Sequence, residues 1–412
     1  MGVKHFFSTY GDCGEKRHHT DMRGKRYVID FVYQLYRIMI GLQNSKYPCK
    51  LYNEIETEQE NNISHVIAVC SFVELLINRQ IRPIFVFDGK APKLKHKKLE
   101  ERRKIRERAK LDMEKITDKT SDQYIKHAKK SVSISSVQYD QSIQLLTAFG
   151  FPVIKAYGEA EAQCAALLYD KKLGIDGIIT DDSDALIFGC NKMVRDVTRK
   201  NKEVIEMQLS NVLSMTKKKV NDIRFNNKLP PIEAFTGENL IDLAILHGTD
   251  YNNPIVDDNN ANILEMFALN DLNVEKLVEN LKSRYTISDD FLEEWRLVRE
   301  YYINANVIDP SAIDLTLKKP NLITMKLLMM GQFGFKESYV TSLYNDLMWM
   351  FRLDKNISSD TKNYQQFHSY RTKYYTRSQN NNFNNNFNNQ PHHHTQNTTQ
   401  KFIPVSRSSV SR

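Results

Sequence analysis

Acidic residues end several short apolar segments of this sequence, and no other feature constrains the fold as strongly. Two such segments are Tyr27–Asp30 and Ile81–Asp88, and amphipathic helices are predicted between them over Phe31–Leu42 and Ile63–Asn78. Strands that alternate with helices build α/β sheets, which bind ligands at the carboxyl ends of their strands. The order strand, helix, helix, strand therefore predicts an α/β sheet with acids along one edge.

Two further pairs of acids stand close together in the middle of the chain. Glu159 and Glu161 open an Ala/Leu-rich helix, and Asp182 and Asp184 follow a short apolar run that is typical of a buried strand. Residues two apart on a strand share a face, so Asp182 and Asp184 are expected to point at one spot. Four such carboxylates repel one another unless cations hold them, and hard oxygen ligands suit Mg²⁺ or Mn²⁺. An ordinary acidic helix start followed by a turn is the alternative interpretation.

A strongly basic segment follows Asp88 directly. Lys93 to Lys110 contains ten lysines and arginines and three glutamates, in a chain whose net charge is +8. Lys95 and Arg102 are seven residues apart, which places them two helical turns apart on one face. A solvated helix is the alternative, but the position beside an acidic cluster favours phosphate binding.

The rest of the composition narrows the class of protein. No apolar run approaches the ~20 residues that cross a bilayer, and the first residues do not resemble a signal peptide. The five cysteines have no paired spacing, which indicates a reducing compartment and no zinc site. The sequence contains neither a Ser/His/Asp or Cys/His nucleophile arrangement nor a GxxxxGKS phosphate loop. We expect a soluble intracellular protein with no membrane partner.

Seven acids in all recur at the ends of short apolar segments, and they are Asp30, Asp88, Glu159, Glu161, Asp182, Asp184 and Asp250. If they converge, they form an all-carboxylate site for two divalent cations about 4 Å apart, which can clamp a phosphodiester. A basic helix beside such a site supplies charge to the phosphate in the transition state. The residues alone therefore predict metal-dependent hydrolysis of phosphodiesters in nucleic acid.

The remaining segments are less informative. The charged stretch Ser214–Phe235 is typical of a surface loop, and residues 117–135 are polar and expected to be mobile. Helical patterns over Lys276–Tyr302 and Lys326–Met350 predict a C-terminal helical layer. Residues 377–412 are rich in Asn and Gln, cannot bury a core, and are expected to be disordered.

Seven short motifs occur in the order and at the spacing of one nuclease family, and they are Met1–Val3, Val28–Asp30, Val86–Pro92, Gly158–Ala162, Thr180–Asp184, Gly248–Tyr251 and Val307–Pro310. Through them the chain resembles the flap endonuclease branch of the XPG nuclease superfamily, from Met1 to about Leu353. The resemblance implies an α/β, PIN-like nuclease domain with a mixed, mainly parallel sheet flanked by helices.

The resemblance also implies a division of the chain into regions. These are an N-terminal nuclease region (1–110), a basic helical arch (93–136), an internal nuclease region (137–256) and a C-terminal helical, DNA-binding region of helix-two-turn-helix type (257–354), followed by the tail (377–412). In the family, a single-stranded 5′ flap passes through the arch.

In that family the seven acids serve two Mg²⁺ ions, for which Mn²⁺ can substitute. By resemblance, Asp88, Glu159 and Glu161 would favour one ion. Asp182 and Asp184 would favour the other.

The resemblance gives the remaining site residues other roles. Asp30 and Asp250 would act mainly through bound water, while Lys95 and Arg102 fall where the family has its gateway cations. Tyr36 falls where an aromatic stacks on a base at the scissile phosphate, with simple core packing as the alternative. The residues expected to contact DNA are therefore Tyr36, Lys95, Arg102, Glu159, Gly248 and Asp250.

The sequence departs from the family in the region that binds duplex DNA. After Asp250 the family usually has a Gly-x-Gly hairpin that binds a monovalent ion and the duplex backbone, whereas Asn252–Ala261 is acidic and has no glycine. Two DNA-contacting arginines of the family align with Gln43 and Phe72, and no sliding-clamp motif is visible. The chemistry is therefore better supported than duplex binding or a clamp partner.

We expect a monomeric, structure-selective DNA nuclease that cuts 5′ flaps at single-strand/duplex junctions in replication and repair. A 5′→3′ exonuclease of the same superfamily, on DNA or RNA, is the alternative enzyme, and a Holliday-junction resolvase is less favoured. The alternative outside the enzymes is a catalytically inactive DNA-binding scaffold. Retention of all seven acids argues against a scaffold, because such a site is electrostatically costly without metals.

Overall fold

The structure is a computed structural model that describes residues 3, 6, 10–43, 63–199, 203–258 and 261–356. The chain divides into two units, Met1–Lys355 and Asn356–Arg412. The expectation about the 377–412 tail lies outside the described residues. No described helix combines the length and apolar composition that crossing a bilayer requires.

Seven strands of the first unit form one mixed sheet, and they are β1 (Gly14–His18), β2 (Arg26–Asp30), β3 (Arg82–Phe87), β4 (Val153–Lys155), β5 (Gly177–Ile179), β6 (Lys192–Arg195) and β7 (Glu203–Gln208). Their order across the sheet is β1-β7-β6-β5-β2-β3-β4. The five strands from β6 to β4 are parallel, and β7 and β1 add an antiparallel edge. The expected mixed, mainly parallel sheet is confirmed.

The described α-helices follow in chain order as α1 (Phe31–Leu42), α2 (Ser64–Arg79), α3 (His96–Glu114), α4 (Asp122–Ser131), α5 (Ser136–Ala148), α6 (Ala160–Tyr169), α7 (Asp184–Ile187), α8 (Leu209–Asn226), α9 (Gly237–His247), α10 (Ile263–Leu269), α11 (Val274–Leu281), α12 (Phe291–Ile303), α13 (Leu322–Met325) and α14 (Glu337–Asn356). A short 3₁₀ turn, Lys93–Lys95, precedes α3, and a π-helix, Lys326–Gln332, continues α13.

The central strands are buried on both faces, because helices cover the sheet from both sides. Val28 and Ile178 face a core built with α6 and α9, whereas Ile29 and Phe85 face a core built with α1, α2 and α5. This alternation is the period of two that a strand imposes on its side chains. Because both faces of the sheet are covered, the sequences of its strands are nearly continuous apolar runs, and the acids lie where these runs end.

The structure corrects the prediction of a surface loop over Ser214–Phe235. Helix α8 extends to Asn226, because Val212, Thr216, Val220 and Arg224 recur every four residues and are buried along one face. The lysines between them occupy the rest of the helix surface, which made the segment resemble a loop. The segment 117–135, expected to be mobile, likewise contains helix α4, which Ser121 caps through the N–H of Tyr124.

The C-terminal helical layer is present but more interrupted than expected. Residues 282–290 separate α11 from α12, and residues 333–336 separate the π-helix from α14. Helices α9 and α10 precede and follow, along the chain, the loop after Asp250. A helix-two-turn-helix arrangement over residues 257–354 stays a prediction.

Gly150, between α5 and β4, lies where both its backbone conformation and a close contact should make substitution costly. Its φ is +91°, and a Cβ there would lie 2.2 Å from the Lys318 carbonyl oxygen. Gly150→Ala should lower the free energy of unfolding by at least about 2 kcal/mol, since strain and a backbone clash add. Urea denaturation measures the change. Gly237→Ala is the matched control, because nothing lies within 4 Å of its added Cβ; equal effects of the two substitutions would contradict the prediction.

Candidate active site

Asp30 lies where β2 ends and α1 begins, and it is only 1% exposed. Its Oδ1 accepts a hydrogen bond from the N–H of Tyr33 at 3.4 Å and so caps α1. Its Oδ2 accepts from the hydroxyl of Thr180 at 2.9 Å, and that hydroxyl in turn accepts from the N–H of Asp182 at 3.1 Å. Asp30 is therefore tied to the acidic turn that follows β5.

Asp88 and Glu159 are brought together by two loops that run side by side. The N–H of Gly89 donates to the carbonyl of Gly158 at 2.7 Å. A Cβ at residue 89 would lie 2.0 Å from the Ala156 carbonyl oxygen, so the approach requires glycine. The loop after β3 and the loop before α6 therefore hold one another at hydrogen-bond distance.

Helix α6 begins inside the acidic cluster. The N–H of Ala160 donates to Asp88 Oδ1 at 2.9 Å, which satisfies one of the free amides of the helix start. Carboxylate oxygens of Asp88, Glu159 and Glu161 all lie within 4.8 Å of one another. The helix start favours negative charge here, because its free amides carry the positive end of the helix dipole.

Asp182 lies between β5 and α7 and Asp184 opens α7, so neither lies on a strand and that part of the prediction is wrong. Strand β5 ends at Ile179, and α7 begins at Asp184. Asp182 Oδ1 accepts from the N–H of Asp184 at 3.1 Å. Such local side-chain bonds to the backbone compete with a strand ladder and favour a turn. Both aspartates are nevertheless buried, each 3% exposed.

Asp250 follows α9 in a turn that its neighbours close. Gly248 has φ +87°, and a Cβ there would lie 2.7 Å from a backbone nitrogen of the turn. The hydroxyl of Thr249 donates to Asn252 Oδ1 at 2.7 Å, and the amide of Asn252 donates to the carbonyl of Ile245 at 2.7 Å. The side chain of Asn252 therefore joins the turn to the end of α9.

Two cations at the start of the basic segment bond to acids of the cluster. Lys95 Nζ lies 2.5 Å from Glu159 Oε2 and 3.9 Å from Asp250 Oδ2. Arg102 Nη2 donates to both carboxylate oxygens of Asp250, at 2.7 and 2.8 Å. Lys95 ends the 3₁₀ turn and Arg102 lies on α3, so both face the site as their spacing predicts.

Burial and mutual repulsion raise the pKa of several of these carboxyls. Burial is the largest cause for Asp30, Glu161 and Asp184, whose pKa values lie well above the ordinary range, and neighbouring carboxylates raise them further. For Lys95, burial lowers the pKa, but the charges of Glu159 and other acids outweigh it and the pKa is raised. The electrostatic interactions link all seven acids into one cluster.

The donor set fits hard divalent cations. Glu161 Oε2 and Asp184 Oδ1 are buried and have no hydrogen-bond partner among the described residues. Burying a charged oxygen without a hydrogen-bond partner costs free energy, so a bound cation would stabilise these two atoms. Carboxylate oxygens are the ligands that Mg²⁺ and Mn²⁺ prefer. The residues that would hold such ions are Asp30, Asp88, Glu159, Glu161, Asp182, Asp184 and Asp250.

The two remaining expected DNA contacts differ in what surrounds them. Tyr36 lies on α1, half-buried, and packs against the core formed with α2 and α5. Core packing, the alternative interpretation for Tyr36, is therefore observed. Gly248 has a conformational reason to be glycine. For both residues, contact with DNA stays a prediction.

Several residues that shape the site were missed in the sequence. Thr180 bonds both Asp30 and the backbone of the acidic turn, and its position beside Asp182 was a usable signal. The hydroxyl of Tyr139 donates to the carbonyl of Asp88 from 51 residues away. Asn252 was noted only as a departure from the family loop. No sequence pattern marks the last two.

Two family profiles match the chain: the XPG N-terminal domain over residues 1–109 and the XPG I-region over residues 150–250. Flap endonuclease 1 of Leishmania braziliensis is 30% identical over 303 residues, covering 72% of this chain and 71% of that protein. Flap endonuclease 1 of Methanococcus aeolicus is 29% identical over 331 residues, covering 78% and 88%.

Among solved structures, the catalytic core of Rad2 in complex with DNA substrate is similar, with a TM-score of 0.61 and 22% identity. The match covers 84% of this chain and all of that one. The fold and the two matching XPG regions define an XPG-type nuclease, a hydrolase of phosphodiester bonds. Within that class, the chain belongs to the flap endonuclease family.

Glu161 offers a test of the electrostatic cost of the site. Its pKa in the folded protein lies above the unfolded value, so its ionisation destabilises the metal-free fold as pH rises from about 4. At pH 8 in EDTA, Glu161→Gln should raise the free energy of unfolding by at least about 1 kcal/mol, the equivalent of about one pKa unit. Urea denaturation at pH 5 and pH 8 measures the gain, which should be larger at pH 8.

Glu100→Gln is the control for this measurement. Glu100 is exposed and bonds Arg103 on the surface of α3, so its neutralisation should give no gain. A destabilised Glu161→Gln protein at pH 8 without metal would show that Glu161 is satisfied without a cation.

Proposed function

We propose that this protein cuts 5′ flaps in DNA at junctions of single-stranded and duplex DNA, by hydrolysis that depends on two Mg²⁺ ions. The observation that carries the proposal is the convergence of seven buried or half-buried carboxylates, two of whose buried oxygens lack a hydrogen-bond partner within the described part of the chain. Membership in the flap endonuclease family supports the substrate class. Mn²⁺ should substitute, because it accepts the same oxygen ligands.

The acids and the two cations have complementary tasks in this proposal. Divalent ions bound by the carboxylates would make a water more acidic and neutralise charge on the phosphodiester. Lys95 and Arg102 already bond Glu159 and Asp250, so they stand at the point where the scissile phosphate would approach. There their charges would stabilise the additional negative charge of the transition state.

The proposed regions of the chain follow the same logic. Residues 1–110 and 137–256 supply the acids, residues 93–136 supply the basic arch, and residues 257–354 supply the helical layer that would hold duplex DNA. Tyr36, on α1 beside the site, would stack on a base near the cut. We propose that the protein acts as a monomer inside the cell, in replication and repair, without a clamp-binding motif.

The other functions considered have less support. An exonuclease of the same superfamily would use the same acids, but the relatives that match are named flap endonucleases. An inactive scaffold would not need clustered carboxylates whose pKa values are raised by burial and, further, by their neighbours. Labelled flap, nicked, gapped, junction and RNA substrates, each incubated with Mg²⁺, distinguish these functions by their products.

Asp182→Ala should abolish cleavage while DNA binding persists. The carboxylate belongs to the ligand set, and its loss should slow single-turnover cleavage by about 10³-fold or more. Affinity for the flap substrate comes mainly from the cations of the protein and should change less than about threefold. Quenched-flow cleavage and fluorescence anisotropy measure the two quantities, and full activity of the variant would exclude the two-metal proposal.

Lys95→Ala and Arg102→Ala should each slow the chemical step more than they weaken binding. Both side chains contact the acid cluster, where charge on the transition state matters most, so we expect about 10²-fold losses at saturating substrate. Arg103→Ala is the matched control, because Arg103 pairs with Glu100 on the exposed side of the same helix. If only the affinity changed in the first two variants, these residues would be tethers and not catalytic groups.

The loop after Asp250 is the basis of a prediction about duplex binding. Asp257 and Asp258 are exposed there, where the family has a glycine hairpin close to phosphates. Glycine allows the backbone to approach a phosphate, whereas carboxylates repel it. We therefore expect a weaker hold on the duplex arm, with the arch cations contributing relatively more of the affinity.

The salt dependence of binding measures this difference. Flap-substrate dissociation constants across a series of NaCl and KCl concentrations should give a shallower slope for the natural sequence than for a variant with Gly-x-Gly placed in the loop, because fewer phosphates are neutralised. The variant should also respond more strongly to K⁺. Equal slopes and equal K⁺ responses would show that the loop does not touch DNA.

A further inference from the structure

Helix α1 contacts the acidic turn that follows β5 at two separate points. At the start of the helix, Asp30 accepts the hydroxyl of Thr180 at 2.9 Å. Two turns further along the same helix, the guanidinium of Arg37 bonds the carboxylate of Asp181. The first contact belongs to the seven acids, whereas the second has no part in the proposed chemistry so far.

Arg37, Asp181 and Asp196 form a ring of hydrogen bonds, to which Arg195 and Arg199 add ion pairs at 4.0 Å from Asp181 and 2.8 Å from Asp196. Besides its bond to Asp181, Arg37 donates from Nη2 to Asp196 Oδ1 at 3.3 Å. The N–H of Asp196 then donates to Asp181 Oδ1 at 2.8 Å. Each member therefore bonds the other two, and the ring joins α1, the acidic turn and the end of β6.

The ring is more than a surface ion pair. The side chains of Asp181 and Asp196 are 8% and 5% exposed, and that of Arg37 is 30% exposed. Buried carboxylates are stable only when their partners are well placed, and a planar guanidinium can serve two of them at once. Asp196 also adopts φ +61°, a conformation that is unusual for a residue other than glycine. The backbone thus accepts strain at the position that completes the ring.

The ring bears on the acid cluster because of the position of Asp181 in the sequence. Asp181 directly precedes Asp182, whose carboxylate lies in the acid cluster and accepts from the N–H of Asp184 at 3.1 Å. Asp181 and Asp182 share a peptide bond, and the N–H of Asp182 is itself held by the hydroxyl of Thr180. A side chain held in place at Asp181 therefore restrains the backbone from which Asp182 would reach an ion.

We propose that Arg37 is a positioning residue that holds the Thr180–Asp184 turn, through Asp181 and Asp196, in the geometry that binds the divalent ion of Asp182 and Asp184. The proposal rests on the proposed function for what the ions do, but the binding of the ions can be measured without cleavage. Groups that orient metal ligands from behind typically change metal affinity or activity 10- to 100-fold when removed. Arg37 would act in that way on a carboxylate pair.

The experiment measures ion binding and cleavage in the full chain for the natural sequence and for Arg37→Ala, Arg37→Lys, Asp181→Asn and the double variant Arg37→Ala/Asp181→Asn. Binding of Mn²⁺ is followed by electron paramagnetic resonance of the free ion, and cleavage by the Mg²⁺ concentration at half-maximal single-turnover rate. Arg37→Ala should raise both the dissociation constant for Mn²⁺ and the Mg²⁺ concentration at half-maximal rate by about 10-fold or more. Arg37→Lys should recover only part of the lost affinity for the ions, because an ammonium group lacks the second nitrogen that reaches Asp196.

The double variant tests the path through Asp181. If Arg37 acts through that carboxylate, the double variant should be no worse than Arg37→Ala, since both changes remove one interaction. Additive losses would overturn the proposal. Arg17→Ala is the matched control, because Arg17 pairs with Glu15 on the exposed edge strand β1, and it should leave Mn²⁺ binding within about twofold.

Three further results separate this proposal from its rivals. Unchanged Mn²⁺ binding in a folded Arg37→Ala protein, with a lowered melting temperature alone, would reduce the ring to a structural role. A loss of DNA affinity in Ca²⁺ with unchanged Mn²⁺ binding would make Arg37 a phosphate contact instead. Mn²⁺ binding that depends on Arg37, in a natural protein that cuts no flap, would contradict the proposed function and leave the positioning role standing.

Discussion

The mutual repulsion of seven carboxylates at one edge of the sheet is the constraint on which the rest of the site depends. Burial raises the pKa of Asp30, Glu161 and Asp184, and repulsion from neighbouring carboxylates raises it further. The fold offsets part of this repulsion with the amides at the start of α6 and with the cations Lys95 and Arg102. In the proposed function, divalent ions would offset the remainder. A protein under this constraint sacrifices stability for binding at its functional site.

The loops that carry the acids are held from outside the cluster. Thr180 ties the acidic turn to the end of β2, the ring of Arg37, Asp181 and Asp196 ties it to α1 and β6, and Asn252 ties the Asp250 turn to α9. None of these groups has to touch a substrate. Their hydrogen bonds and ion pairs hold these loops in place where there is no strand ladder to do so. They thereby keep the like-charged acids close together.

Chemistry and duplex binding are separable in this chain. Lys95 and Arg102 bond acids of the cluster, whereas the loop after Asp250 has no glycine over Asn252–Ala261 and exposes Asp257 and Asp258. A nuclease can keep its chemistry while the surface that holds the duplex changes, because catalysis depends on a few fixed atoms and affinity on many distributed charges. The proposed reliance on the arch follows from that difference.

The sequence by itself determined which acids matter and most of the elements that carry them. Strand β2, helix α1 and helix α2 begin and end close to their predicted limits, because their apolar spacing and end signals are local. The prediction from sequence was wrong at α8. The charged composition of this segment indicated a loop, whereas the burial of Val212 and Val220 against other elements favours a helix. The prediction also missed the bond from Arg37 to Asp181, whose partners are 144 residues apart. Such contacts exist only after the sheet has brought distant segments together, so the tertiary structure alone decided how the acids are held.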